Sequence, residues 1–237
     1  MDERLSKQPL YCQVANVLVE RIARGIWKPG TSIPNEVDLA REMGVSTGTM
    51  RKALNRLESN HLIVRQQGRG TYVEDQTKLN HLQRFDPLRH ASGIAITSIG
   101  KVIAQEFGPA TEIERVQLSL EADETVLRTT RIRTHMGRPY IYETAVIAAS
   151  RFPGLNGDTG DYVLAALGQK HGVILGQAVE QLTLCESTKE VASALDVAAG
   201  AILVKLDRII SAFASEPLEW RIGFCPLRDE KYVVTIA

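Results

Sequence analysis

Two sets of side chains in this sequence have the types and the spacing to do chemistry. The first is Ser46, Thr47, Thr49, Arg51 and Lys52, followed further on by Gly68, Arg69 and Gly70. Hydroxyls, a guanidinium and an ammonium along one face of a helix match the donors and acceptors of a DNA major groove. A basic turn held between two glycines can lie along a phosphate backbone, because glycine lets the chain approach closely. The second set is Arg131, Arg133, Glu143 and Glu219. Arg131 and Arg133 are two apart on a strand pattern, so their side chains project from the same face. Two guanidiniums on one face repel unless an anion lies between them, and arginine grips carboxylate or phosphate bidentately. Glu143 and Glu219 could hold the arginines or bind a hydroxyl or amine of a ligand. The same four residues also fit a plain salt-bridge ladder across a sheet.

The first set needs a rigid frame, and the stretch from Ile33 to Val73 supplies one. Asn35 is placed to cap a helix, with Asp38 in capping-box-like spacing. Leu39, Ala40 and Met43 give that helix an apolar stripe, and Gly44 ends it. Ser46 is placed to cap a second helix, with Met50, Leu54 and Leu57 on its inner face. Thr47, Thr49, Arg51, Lys52, Asn55 and Arg56 then face outward. Gly48 in its first turn costs about 1 kcal/mol relative to alanine. His61 follows the helix, at a point where histidine can take the left-handed conformation. Ile63 to Gln67 reads as a strand, Gly68-Arg69-Gly70 as a sharp turn and Thr71 to Val73 as the return strand. Upstream, Leu10 to Arg24 reads as a helix with Leu10, Val14, Val17, Leu18 and Ile22 on one face, broken by Gly25, Pro29 and Gly30. Met1 to Gln8 reads as a mobile start.

The second set needs a sheet. Val102 to Phe107, Val126 to His135, Tyr140 to Ala148, Gln177 to Glu186, Ala201 to Ala212, Leu218 to Phe224 and Lys231 to Ile236 read as strands. Met136-Gly137-Arg138-Pro139 closes one hairpin. Glu112 to Leu118, Asp161 to His171 and Thr188 to Leu195 read as helices, the last with Ser187 placed to cap it. Strands joined mainly by hairpins imply an antiparallel sheet with helices on one side. Glu74 to about Ile96 is polar and without sustained periodicity. It reads as a linker that docks partly on one domain.

A chain of 237 residues is too long for one such DNA reader, and with 44% hydrophobic residues it can build a second core. The net charge is zero but uneven. Residues 1–80 hold 12 basic against 9 acidic residues, a net of +3, and residues 41–70 hold 6 against 2, a net of +4. The positive charge therefore sits where phosphate attraction needs it, and its modest size implies two readers acting together. No apolar run approaches the roughly 20 residues of a membrane span, and the charged start lacks the core of a signal peptide. Cys12, Cys185 and Cys225 lie far apart, so a disulfide framework is not expected. The five histidines show no metal-ligand spacing. These features read as a cytoplasmic protein without a cofactor.

The pieces PLYCQVANVLVERIARGIWKPG, IPNEVDLAREMGVS, TMRKALNRLE and QQGRGTYV together resemble the winged helix-turn-helix domain of the GntR family of bacterial transcription regulators. The pieces TTRIRTHMGRPYIYET, RFPGL, KHG, ALDVAAGAILVKLDRII and EPLEWRIGFCPLRDEKY resemble the UTRA domain of its HutC subfamily. The resemblance implies an α+β chain. A winged helix-turn-helix domain spans residues 1–76, a linker 77–98, and an antiparallel-sheet domain of chorismate-lyase-like type 99–237. It also implies a homodimeric repressor, bound to an inverted-repeat operator in double-stranded DNA and released by a small-metabolite effector.

Within that resemblance, Ser46, Thr49, Arg51, Gly68 and Arg69 match the family's DNA-binding pattern. Val37, Thr47 and Gly48 depart from it, since the family often has arginine, arginine and threonine there. Arg131, Arg133, Glu143 and Glu219 fall where the family contacts effectors. Phosphosugar-binding members tend to carry a serine near the start of the helix that begins here at Asp161, and a tyrosine one turn on. Val163 and Leu164 lack hydroxyls, leaving Tyr162. That points to a small anion, a carboxylate at least as much as a phosphate. Two other classes stay open: an enzyme of chorismate-lyase-like fold fused to a DNA reader, and an architectural DNA-binding dimer without effector. Fold alone does not choose among them, and no nucleophile–base pair or phosphate loop is present in the sequence.

Overall fold

The structure is a computed structural model that describes residues 8–75, 85–93, 95–96, 99–155, 162 and 164–234. Several expectations fall outside these residues: the mobile start over 1–7, residues 76–84 of the linker, Asp161 and Val163, and Ile236. The chain divides into two compact units, residues 1–82 with 164–176, and residues 83–163 with 177–237.

The first unit opens with helix α1, Leu10–Ala23, strand β1, Ser32–Ile33, and helices α2, Glu36–Glu42, and α3, Thr47–Ser59. Strands β2, Ile63–Gln66, and β3, Gly70–Val73, form the wing. Its sheet has three strands in the order β1-β3-β2, one more than the hairpin expected. Ser32 and Ile33 pair with Tyr72 and Thr71, a two-residue strand too short to show periodicity. The caps fall as read. The Asp38 N–H donates to Asn35 Oδ1 at 2.9 Å and the Thr49 N–H to Ser46 Oγ at 3.1 Å. Gly44 ends α2 with φ +63°, and His61 takes φ +56° just past α3.

The α1 face is turned from the one expected. Val14, Ala15, Leu18 and Val19 are buried, while Leu10 and Val17 are exposed. Apolar residues ring much of this helix, so its partners, not its own period, choose the buried stripe. Leu39, Met50, Ala53, Leu57, Leu62 and Val73 complete the core.

The second unit begins with β4, Leu88–His90, β5, Ile99–Pro109, helix α4, Glu112–Leu118, and strands β6, Thr125–His135, and β7, Arg138–Ala148. Helix α5, Leu164–Lys170, follows in the chain but groups with the first unit. A Cβ on Gly172, just after it, would stand 3.4 Å from the Ala23 carbonyl oxygen at the end of α1. Strand β8, Leu175–Glu186, helix α6, Lys189–Leu195, and strands β9, Ile202–Ala212, β10, Pro217–Cys225, and β11, Glu230–Tyr232, complete the chain. Six strands form one sheet in the order β5-β6-β7-β10-β9-β8. The β5–β6, β6–β7, β7–β10 and β10–β9 pairings are antiparallel.

One face of this sheet is apolar and takes the helices. Leu118 at the end of α4 packs with Val126, Val146 and Ala148, and α6 packs Val191 and Leu195 on Tyr142 and Leu203. Helix α4 is fixed by a full capping box between Thr111 and Glu114, and Arg128 clamps Glu114 with Nε 2.6 Å from Oε1. The cap of α6 is Thr188, not Ser187. The Val191 N–H donates to Thr188 Oγ1, whereas the Ser187 hydroxyl donates to the Ala198 carbonyl. The two residues share a capping side-chain type, and one step of the chain decides between them.

The other face carries the charged residues and is partly covered by β4 and β11. Glu230, Lys231 and Tyr232 pair with His90, Arg89 and Leu88. Part of the stretch read as linker is therefore a strand of this unit. Leu88 is buried with Tyr140, Ile141, Leu206 and Cys225.

Candidate functional sites

On the first unit, the Ser46 cap and the α2–α3 turn set the exposed face of α3. Thr47, Gly48, Arg51, Lys52 and Asn55 are exposed, Thr49 is half-buried, and the Ser46 and Thr49 hydroxyls lie 2.9 Å apart. Arg51 is steered from outside its own helix. Its Nε donates to both oxygens of Glu36 at 3.0 and 3.3 Å, and its Nη2 is 2.8 Å from Oε1. That hydrogen bond, then the nearby charge, raises the Arg51 pKa. Glu36, at the first turn of α2, was not among the residues singled out from the sequence. Only the folded α2–α3 angle brings it to Arg51.

The wing is tied to the same helix. Arg65 on β2 donates Nη2–H to Asn55 Oδ1 at 2.7 Å and pairs with Glu58. At its tip Gly68 and Gly70 take φ +70° and +113°, which a side chain would resist. The Tyr72 hydroxyl donates to the Arg69 carbonyl at 3.1 Å, leaving the Arg69 side chain exposed on the turn. The eight residues read as a DNA contact set thus occupy one helix face and one wing tip of a single unit.

On the second unit, strand alternation brings Arg131, Arg133, Glu143 and Glu219 to one sheet face. Arg131 stands opposite Glu143, and Glu143 opposite Gly223. Arg131 and Glu219 are fully buried. Glu143 Oε1 is 2.9 Å from Nε of Arg131 and 2.9 Å from Nε of Arg133. The anion between the two arginines is therefore the protein's own carboxylate. The salt-bridge ladder that the residues left open is present in this structure.

A third guanidinium, missed from the sequence, joins the set. Arg221 reaches Glu143 Oε1 with Nη1 at 3.5 Å and Glu219 Oε1 with Nη2 at 2.7 Å. Its position two residues after Glu219 on a strand was the available signal. Tyr162 closes the cluster. Its ring lies 4.7 Å from the Arg131 Cζ, its carbonyl accepts from Arg131 Nη1 at 2.9 Å, and its hydroxyl donates to Glu219 Oε2 at 3.3 Å.

Burial alone would raise the Glu143 carboxyl. Arg221, Arg133 and Arg131 together outweigh it and hold Glu143 well below the usual range. Burial, then the Glu219 carboxylate, pushes the Tyr162 hydroxyl up, so it stays protonated and donates. A cluster of buried guanidiniums and carboxylates with a tyrosine hydroxyl can recognise an anion that also carries hydroxyl or amine groups. No group of histidine, cysteine, aspartate or glutamate among the described residues could hold a metal ion.

The sequence matches two family models. Residues 10–73 match the one described as bacterial regulatory proteins of the gntR family, and residues 96–229 match the UTRA domain. The chain is 32% identical over 155 residues to the mannosyl-D-glycerate transport/metabolism system repressor MngR of Escherichia coli (strain K12), covering 64% of this chain and 63% of that protein. It is 39% identical over 67 residues to the histidine utilization repressor of Pseudomonas putida, covering 28% of this chain and 27% of that protein. Among solved structures, the possible transcriptional regulator YydK from Bacillus subtilis aligns over 97% of this chain and 100% of its own, at 20% identity and a TM-score of 0.57. That likeness shows the fold. The chain thus joins a gntR-type DNA reader to a UTRA domain, and spans somewhat less than two thirds of the MngR repressor's length. The chain belongs to the GntR family of bacterial regulatory proteins, in the UTRA-bearing, HutC-type branch.

Proposed function

We propose that this protein is a repressor that binds an inverted-repeat operator as a homodimer and is released when a small anionic metabolite binds the Arg131–Tyr162–Glu219 cluster. Ser46, Thr47, Thr49, Arg51 and Lys52 would meet the major groove, with Gly68, Arg69 and Gly70 on the adjoining backbone. Arg131, Arg133, Glu143, Tyr162 and Glu219, joined by Arg221, would receive the effector. The observation that carries the effector reading is the complete burial of Arg131 and Glu219 on one face of a sheet. Buried ion networks add little to stability compared with apolar packing, and strongly perturbed groups gather at functional sites. The chemistry favours a carboxylate bearing hydroxyls or an amine, because Glu219 and Glu143 repel a second negative charge. The relative named for mannosyl-D-glycerate, itself a carboxylate, is in line with that class.

Because Glu143 already bridges the arginines, an effector would share these guanidiniums with Glu143, entering beside it. A thermal-shift screen of small carboxylates and phosphates, followed by anisotropy on operator-bound protein, tests the reading. A ligand that raises the melting temperature and releases DNA is the expected result. Absence of any ligand-induced thermal shift across the panel would leave an architectural dimer without effector in its place.

A further inference from the structure

We propose that Val37 on α2 is a base-reading residue, which packs on the C5-methyl group of a thymine beside the base pair that Arg51 meets. This rests on the reading above of α3 as the helix that enters the major groove, and adds to it a contact from the helix before. Val37 is 53% exposed, and it is the one large apolar side chain so exposed between Ile33 and Val73. A single exposed valine is ordinary on a protein surface. What gives this one a role is where it stands. Glu36, the residue before it, reaches across to α3 and holds Arg51, with Nη2 2.8 Å from Oε1. The first turn of α2 therefore lies against the Arg51 turn of α3, and Val37 belongs to that first turn.

Helix geometry turns Val37 outward there. Leu39 and Ala40 are buried, and successive residues of a helix stand about 100° apart around its axis. Leu39 is then nearly opposite Val37, with Glu36 and Ala40 between them, so the valine emerges beside the Glu36–Arg51 pair and away from the core. The charges set the occupant. Residues 41–70 hold 6 basic against 2 acidic residues, and a valine bordered by that excess meets nucleic acid rather than an apolar protein partner. In the major groove the apolar group that a base pair presents is the thymine C5-methyl. Valine gains by covering it, and against another base edge it leaves donors and acceptors unpaired.

A valine is short, so the backbone must come close for it to reach a base edge. Gly48 permits that approach. It is exposed in the first turn of α3, and a Cβ added to it would meet only Ser46 Oγ, at 3.9 Å. Its φ lies outside the left-handed region. Neither packing nor backbone conformation therefore requires a glycine at this position, and a glycine in a helix lowers stability. What it leaves is open room on the face turned to the groove, where the chain can draw near another surface.

The test starts from an operator selected out of random duplex DNA by the full chain. Each thymine of the selected site is replaced singly by deoxyuridine, which removes only the methyl group, and affinity is read by anisotropy at fixed salt. Wild type should lose about fourfold at one thymine in each half-site, the factor that burying one methyl group gives. That thymine should neighbour the base pair at which Arg51→Ala loses discrimination. Val37→Ser should bind the thymine and deoxyuridine operators alike, with an unchanged melting temperature. Thr47→Ser, which removes the other exposed methyl nearby and keeps its hydroxyl, should retain the wild-type difference. Gly48→Ala should lower both the affinity and the deoxyuridine effect without lowering the melting temperature. A site in which no thymine replacement matters, or a deoxyuridine effect that persists in Val37→Ser, overturns Val37 as a reader and leaves DNA binding standing. A wild type that selects no sequence overturns the DNA reading beneath it.

Discussion

The carboxylate of Glu36 on α2 holds the guanidinium of Arg51 on α3 at two points, with Nη2 2.8 Å and Nε 3.0 Å from the same Oε1. The pair is solvent-facing, so it contributes little to stability. Its effect is to take rotamer freedom from the side chain best suited to a guanine edge. A guanidinium already fixed in place loses less entropy on meeting DNA.

Arg51→Ala should therefore weaken operator binding by roughly 5- to 150-fold, the range of one good bidentate base contact. Glu36→Gln should weaken it less and relax discrimination at the base pair under Arg51, with no change in melting temperature. Fluorescence anisotropy at fixed salt on operators varied one base pair at a time measures both effects. Arg69→Ala in the wing should lower affinity evenly across sequences and flatten the salt dependence, as loss of a phosphate contact does.

Glu143 contributes to the acid stability of the second unit, as do Glu114 and Glu124, which are also held below the usual carboxylate range. The folded pKa of Glu143 is depressed below the unfolded value of about 4.3. It therefore contributes stability that is complete above pH 5 or so and is lost as the pH falls through the carboxylate range and below. Glu143→Gln keeps the shape but leaves Arg131, Arg133 and Arg221 without their shared anion, a loss of about 3–5 kcal/mol. Thermal melts from pH 3 to pH 7 should show wild type and variant converging at the acid end and separating towards neutrality.

Much of this was legible before folding. Helix α4 spans the predicted Glu112–Leu118, though its Thr111–Glu114 capping box was not singled out from the sequence. Asn35, Gly44 and Ser46 mark the helix-turn-helix. The alternation of Arg131 and Arg133 gives their shared face. Other features need the sequence to be brought together from far apart. Arg51 meets Glu36 across 15 positions, Tyr162 meets Glu219 across 57, and Lys231 reaches the Ala91 carbonyl across 140. Local periodicity carries no information on such pairs. The β4 strand was hidden for the same reason: Leu88–His90 is a strand because β11 pairs with it.

That strand pair is tied to the charged face of the sheet. The Tyr232 hydroxyl donates to Glu180 Oε2 at 2.5 Å while Arg208 Nε donates to Oε1 at 2.7 Å. Leu88 packs with Ile141, which shares a face with Glu143. Tyr232→Phe should leave operator and ligand affinities within about threefold of wild type. It should also reduce the coupling between them, which ordinarily amounts to about 1–3 kcal/mol. Ligand titrations with and without saturating operator measure this directly.

The most direct test of the account is release of operator by ligand. A carboxylate or phosphate found by thermal shift is titrated into operator-bound wild type and into Arg133→Ala, followed by anisotropy. Arg133 lies on the charged face beside Glu143 and away from the DNA reader's residues in sequence and unit. The account predicts that both proteins bind operator equally and that wild type lets go at ligand concentrations where Arg133→Ala stays bound. Equal release from both would contradict it and remove the effector from the arginine cluster.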